Sequence, residues 1–157
     1  MDKVSISDSP QVIVPPPFIY LGGLVAGIVL HWFKPLSFLP GNLALPLGMI
    51  FIVTSVALVV TAMRTFVKAK TNLDPRKPTT SIVSTGPYQF SRNPIYLSMT
   101  LLTVGVAIWV NTLWILVMLV PVLLVLQFGV IAREEAYLTK KFGEEYLRYK
   151  LKVRRWL

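Results

Sequence analysis

The sequence predicts an all-α, polytopic membrane protein with four transmembrane helices, a cytosolic loop and a C-terminal amphipathic helix. Three observations carry this expectation. Hydrophobic residues make up 54% of the 157-residue chain and the mean hydropathy is +0.63, well above the balance of a soluble domain. Only 15% of residues are charged, yet the net charge is +9, as expected when basic residues gather on one side of a membrane. Apolar runs close to the length that crosses a bilayer then recur along the chain.

The elements follow in order, as one domain over residues 1–157. Residues 1–14 read as a short mixed arm, loosely ordered or lying along the interface, with no signal-peptide pattern. Pro15, Pro16 and Pro17 open the first span, 18–33, because amides in a first helical turn lack intrahelical partners anyway. Gly22, Gly23 and Gly27 give that span a flat face for close helix contact. After a turn through Lys34–Pro35 and Leu39–Asn42, the second span covers 43–63, with Asn42 as N-cap and Pro46 in the first turn. Residues 71–94, rich in Thr, Ser, Pro and Asn, read as a structured loop outside the hydrocarbon. Spans 95–110 and 112–132 form a hairpin with Asn111 and Thr112 at its tip, flanked by Trp109 and Trp114. Pro121 falls mid-span, where it should kink the helix and free a carbonyl. Over 133–155, Leu138, Phe142, Tyr146, Tyr149 and Val153 form one apolar stripe, an amphipathic pattern that Gly143 can interrupt.

Basic residues fix the expected sidedness. Of 16 Lys and Arg, six lie between Arg64 and Arg92 and eight between Arg133 and Arg155, whereas only Lys34 lies in the opposite loop. The positive-inside rule places the rich face and both termini in the cytoplasm, as in a multi-pass protein of a cell inner membrane. The basic charge is accordingly assigned to the bilayer and not to nucleic acid. With no cysteine and His31 as the one histidine, disulfides, thiolate metal sites and His-rich metal clusters are excluded. His31 itself reads as an interfacial residue.

Chemistry concentrates at two polar edges. The first is the ring-rich stretch Gly86–Tyr96, which carries Tyr88, Arg92, Asn93 and Tyr96 into an apolar helix; the second is Arg133–Glu134–Glu135, where the last apolar run ends. A carboxylate accepts both hydroxyls of a ribose, and an asparagine reads an adenine edge. Tyrosine rings stack and face a cation, while Arg92 can fork onto a carboxylate. Such a set suits an adenosyl ligand with a sulfonium and an amino-acid end. The same residues admit a plainer reading, with Arg92 a snorkelling anchor, Asn93 a cap, and Glu134 and Glu135 paired with nearby cations.

Gly86-Pro87-Tyr88, then Arg92-Asn93-Pro94-Ile95-Tyr96, then Glu134-Glu135, then Phe142-Gly143-Glu144-Glu145-Tyr146 with Tyr149, together resemble the isoprenylcysteine carboxyl methyltransferases, grouped with the membrane phospholipid methyltransferases. The resemblance covers roughly residues 43–157. It implies an S-adenosylmethionine-dependent enzyme whose cofactor sits at the cytosolic face, capped by the loop and the C-terminal helix. The implied cofactor positions are Thr80, Ser81, Ile82 and Val83 in an approach strand, then Tyr88, Asn93, Pro94, Ile95, Tyr96 and Glu134. The candidate catalytic residues are Arg92, Glu134 and Glu135, with Arg133 or Arg92 as the substitute for the family's substrate-carboxylate arginine. The chain departs from the prenylcysteine enzymes at Asn93 and Thr80, where they usually or often carry histidine, and at Val130, where they carry a substrate-binding arginine. The acceptor is thus left open among carboxylates, lipid amines and thiols, all lipophilic. Methyl transfer needs mainly proximity and alignment; an amine or thiol must also lose a proton, for which Glu134, Glu135 or a tyrosine is the available base. A reductase of the sterol-reductase type using NADPH and a non-catalytic membrane scaffold are the rival readings.

Overall fold

The computed structural model describes residues 9, 10, 12, 14–71 and 79–157. The rest of the N-terminal arm and residues 72–78, with Arg76 and Lys77, lie outside the described residues. Among the described residues six α-helices follow one another: α1 (Pro16–Phe33), α2 (Gly41–Lys68), α3 (Pro94–Trp109), α4 (Leu113–Val125), α5 (Ala132–Phe142) and α6 (Glu144–Lys152). A 3-10 turn, Gly86–Gln89, precedes α3, and a π-helical turn, Leu126–Ile131, joins α4 to α5. No strand occurs among the described residues, so the expected approach strand Thr80–Val83 is irregular chain.

Among the described residues three helical stretches are long and apolar enough to cross a membrane: Pro16–Phe33, Gly41–Lys68 and Leu113–Phe142. The expected third span, α3, has 16 residues and so reaches about 24 Å at 1.5 Å per residue, short of a hydrocarbon core of about 30 Å. The change from apolar span to amphipathic pattern expected at residue 133 falls inside continuous helix. The helix runs through the π turn. Accommodating one extra residue there rotates the face that α5 presents by about 100°. The real break is Gly143, whose φ of 53° and ψ of −127° suit a residue without Cβ. Pro121 sits inside α4 without ending it. The start of α2 also differs from expectation. Pro40, not Asn42, is at the N-cap of α2, which has no side-chain cap bond, and Pro46 falls beyond the first turn.

Small residues set the packing. α2 runs along α3 and α1 along α4. A Cβ added at Gly48 would meet the Gly105 carbonyl oxygen and Trp109 Cβ at 2.8 Å, and one at Gly27 would meet Ile115 Cα at 2.7 Å; the backbones are as close as glycine allows. Ser55 Oγ donates to the Ser98 carbonyl at 2.7 Å, and Tyr20 Oη donates to the Tyr96 carbonyl at 2.9 Å, tying α3 to α2 and α1. Outward positions of α1 and α2, such as Phe18, Leu21, Ile50 and Val53, are exposed and apolar, as a lipid-facing surface requires. At the hairpin tip Asn111 accepts from the Phe38 and Leu39 amides at 3.1 and 3.0 Å, and Trp114 Nε1 donates to the Lys34 carbonyl at 2.7 Å. Both short connections therefore share one end of the bundle, and the 79–93 segment, α5 and α6 gather at the other. Gly48→Val is expected to lower unfolding stability by about 1–3 kcal/mol through overpacking of the α2–α3 contact; an unchanged thermal midpoint in detergent would contradict that contact.

Candidate functional site

The first polar edge is built by two prolines. Pro87 sits in the 3-10 turn and Pro94 occupies the first position of α3, so Ser91–Asn93 is held as a short non-helical turn between them. Tyr88, 5% exposed, packs its ring against Phe66 of α2 with centroids 5.1 Å apart, and its carbonyl accepts from Tyr149 Oη at 2.8 Å. Burial raises the Tyr88 hydroxyl pKa, and the nearby Tyr149 and Glu134 add to the shift. Asn93 stands at the N-cap of α3 but its side chain makes no cap bond. It donates instead to the Arg155 carbonyl at 2.9 Å.

The second edge is the pair Glu134–Glu135 at the start of α5. Neighbours on a helix point about 100° apart, and the two carboxylates have different surroundings. Glu134 accepts a 2.6 Å hydrogen bond from Tyr96 Oη, and among the described residues no cation pairs with it. Glu135 receives the Arg155 fork, Nε to Oε1 at 2.9 Å and Nη2 to Oε2 at 2.7 Å. Arg92 Nη1 lies 3.0 Å from Glu135 Oε1 and Lys150 Nζ 3.8 Å from Oε2. Arg92 nevertheless lacks hydrogen-bond alignment there, and its Nε and Nη1 are buried without a hydrogen-bond partner. The bond to Glu135 raises the Arg155 pKa. Burial, reinforced by the Glu135 charge and opposed by Arg92, pushes the Tyr146 hydroxyl up to about 12.

Both edges line one cavity of about 520 Å³, within the range of small-molecule sites. Of the expected cofactor positions, Ser81, Ile82, Val83, Tyr88, Asn93, Ile95, Tyr96 and Glu134 line it, as do Arg92 and Glu135. Thr80 does not: its hydroxyl donates to the Lys70 carbonyl at 3.2 Å and its amide to Thr71 Oγ1 at 3.0 Å, which turns it into the loop. Pro94 is buried below the lining and opens α3.

The profile of the phospholipid methyltransferase family matches residues 43–145. The chain belongs to that family. An uncharacterized protein of Haemophilus influenzae is 50% identical over 64 residues, covering 40% of this chain and 100% of that protein. No solved structure matches. Membership in the phospholipid methyltransferase family implies methyltransferase activity, in keeping with the motif resemblance and the apolar helices.

Several lining residues lie outside the family match, and sequence reasoning had not assigned them to the site. Pro10, Pro15, Pro16 and Pro17 wall one side, and Tyr146 and Tyr149 of α6 another. Val12, buried among Tyr20, Leu119, Val122, Leu126 and Val130, anchors the proline segment. The Leu138–Tyr146–Tyr149 stripe was the available signal for α6, since an apolar face on a basic helix covers either lipid or a neighbour. Val59, Met63 and Phe66 of α2 and Tyr137 of α5 also line it, and these apolar and aromatic positions carry no distinguishing pattern. Tyr96→Phe removes the donor from Glu134 and is expected to destabilise the protein by roughly 1–3 kcal/mol, the cost of a buried acceptor left unsatisfied. Denaturant unfolding in detergent measures it, and a difference near zero would show that Glu134 is solvated instead.

Proposed function

We propose that the chain is a multi-pass membrane methyltransferase that uses S-adenosylmethionine to methylate a lipophilic acceptor at the cytoplasmic membrane face. The observation that carries this reading is the shared cavity: Glu134, with no cation partner among the described residues, Arg92, with buried nitrogens that lack hydrogen bonds, and five tyrosines line the same space as the apolar Val59, Met63 and Phe66. Those groups fit the cofactor. A carboxylate with no cation partner among the described residues suits ribose hydroxyls or a positive centre, a guanidinium with buried donors left without hydrogen bonds suits a carboxylate, and tyrosine faces suit an adenine and a sulfonium.

The cofactor, when bound, supplies an activated methyl group. The chain's own residues then orient and enclose. Tyr96 fixes the Glu134 carboxylate, Arg92 holds the anionic end, and Tyr88, Tyr146 and Tyr149 exclude water from the polar half. Holding the reacting groups in line is the main contribution required of the protein. Met63 is both exposed on α2 and part of the lining, so the cavity reaches the lipid-facing surface there and an acceptor tail has an apolar route inward. An amine or thiol acceptor would need a base, and Glu134 is the carboxylate placed for it. Both Glu135 oxygens are engaged by Arg155, so we assign Glu135 to positioning. In the proposed topology α3 also crosses the membrane, shielded by α2 and α4, giving four spans with both termini on the basic, cytoplasmic side.

Titration of the purified protein with S-adenosylmethionine and, separately, with NADPH tests this reading. Binding of S-adenosylmethionine alone is expected, together with transfer of its radiolabelled methyl group to an extractable lipid fraction. Glu134→Ala is expected to weaken cofactor binding by more than about tenfold with helix content unchanged. Binding of NADPH instead would favour the reductase, and binding of neither the scaffold.

A further inference from the structure

We infer that Arg155 is a positioning residue that keeps Arg92 from forking onto Glu135, so that the remaining Arg92 donors receive the ligand's carboxylate; this rests on the proposed cofactor reading. Arg92 and Glu135 are close enough to consume one another, with Arg92 Nη1 3.0 Å from Glu135 Oε1 and side-chain exposures of 11% and 9%. In that surrounding an aligned arginine–carboxylate pair is the expected outcome. Arg92 instead meets Glu135 as a charge contact without hydrogen-bond alignment, while Arg155 makes the aligned fork onto both Glu135 oxygens, at 2.9 and 2.7 Å. Arg92 Nε and Nη1 are left buried with no hydrogen-bond partner on the wall of the cavity. Unsatisfied buried donors of a charged group are costly, so a ligand anion that supplies their acceptors is favoured at this place. The charge balance agrees: Arg92, Lys150 and Arg155 all lie within 4 Å of the one carboxylate of Glu135.

The backbone fixes this arrangement. The Arg92 amide donates to the Arg154 carbonyl at 3.0 Å, Asn93 Nδ2 to the Arg155 carbonyl at 2.9 Å, and Trp156 Nε1 to Gln127 Oε1 at 3.3 Å. The C-terminal segment is thereby strapped across the Ser91–Asn93 turn, with the Arg155 side chain reaching back to α5. Arg155 lies beyond the family-matched residues 43–145.

Two probes separate this role from a merely structural one: S-adenosylhomocysteine, and 5′-methylthioadenosine, which keeps the adenosyl part and lacks the carboxylate. With Arg155→Gln, Arg92 turns onto Glu135. Affinity for S-adenosylhomocysteine is expected to fall roughly tenfold, the scale of a charge-assisted hydrogen bond, and affinity for 5′-methylthioadenosine to stay unchanged. Adding Glu135→Gln to Arg155→Gln removes the competing carboxylate and is expected to restore S-adenosylhomocysteine binding. Arg155→Lys, which covers one carboxylate oxygen in place of two, is expected to give an intermediate loss and serves where Arg155→Gln does not fold. Equal losses for both probes, no loss for either, or no restoration in the double variant would overturn the inference while leaving the cofactor reading intact. A wild-type protein that binds neither probe overturns both.

Discussion

Glu135, held between Arg155 and Arg92, is the contact on which the rest of the polar end depends. It joins three segments far apart in sequence: the turn before α3, the start of α5 and the C-terminal tail. Exposed ion pairs contribute at most about 1 kcal/mol, and removing one partner of a buried pair costs about 3–5 kcal/mol. With side-chain exposures of 9% for Glu135, 11% for Arg92 and 32% for Arg155, this cluster lies nearer the buried limit. Its weight is increased by the backbone bonds that pin the tail to the same turn. Helix packing in the membrane supplies little hydrophobic drive at this end, so charge and hydrogen bonding must hold the roof of the cavity.

That roof meets an apolar floor. The α2–α3 contact is closed tightly at Gly48 and Gly105, far from the polar end. Toward the polar end, α2 contributes Val59, Met63 and Phe66 to the cavity wall. A bundle clamped at one end by small residues and at the other by a salt-bridge cluster leaves room between them. In the proposed function that room is where a water-soluble cofactor and a lipid-soluble acceptor come together, each from its own phase. The π turn matters because it sets the rotation of α5, and hence which of two adjacent glutamates faces Tyr96 and which faces the arginines.

Much of this was legible in the residues. Apolar runs and the placement of prolines gave the helices to within a few residues, because length and hydropathy constrain a membrane helix strongly. The meeting of the Arg92–Tyr96 turn with Glu134–Glu135 was legible as well, since both are polar borders of apolar helices on the same, basic side of the bundle. Continuity of α4 into α5 was not. The change from apolar to amphipathic pattern at Arg133 marks where the surroundings change, and a helix is free to continue through such a change. Nor was the division of labour between Glu134 and Glu135, which depends on Arg155, a residue inside a basic run whose members look alike in sequence. The contribution of Pro10 and Pro15–Pro17 was hidden because only the fold brings the N-terminal segment over the cavity.

A structure of the protein with S-adenosylhomocysteine bound tests the central claim most directly. The expected result is ligand density in the cavity between the Ser91–Asn93 turn and Glu134, with its carboxylate toward Arg92 and its sulfur toward the apolar wall of α2. Density on any other surface, or a cavity that excludes the ligand while the protein still transfers methyl groups, would contradict it.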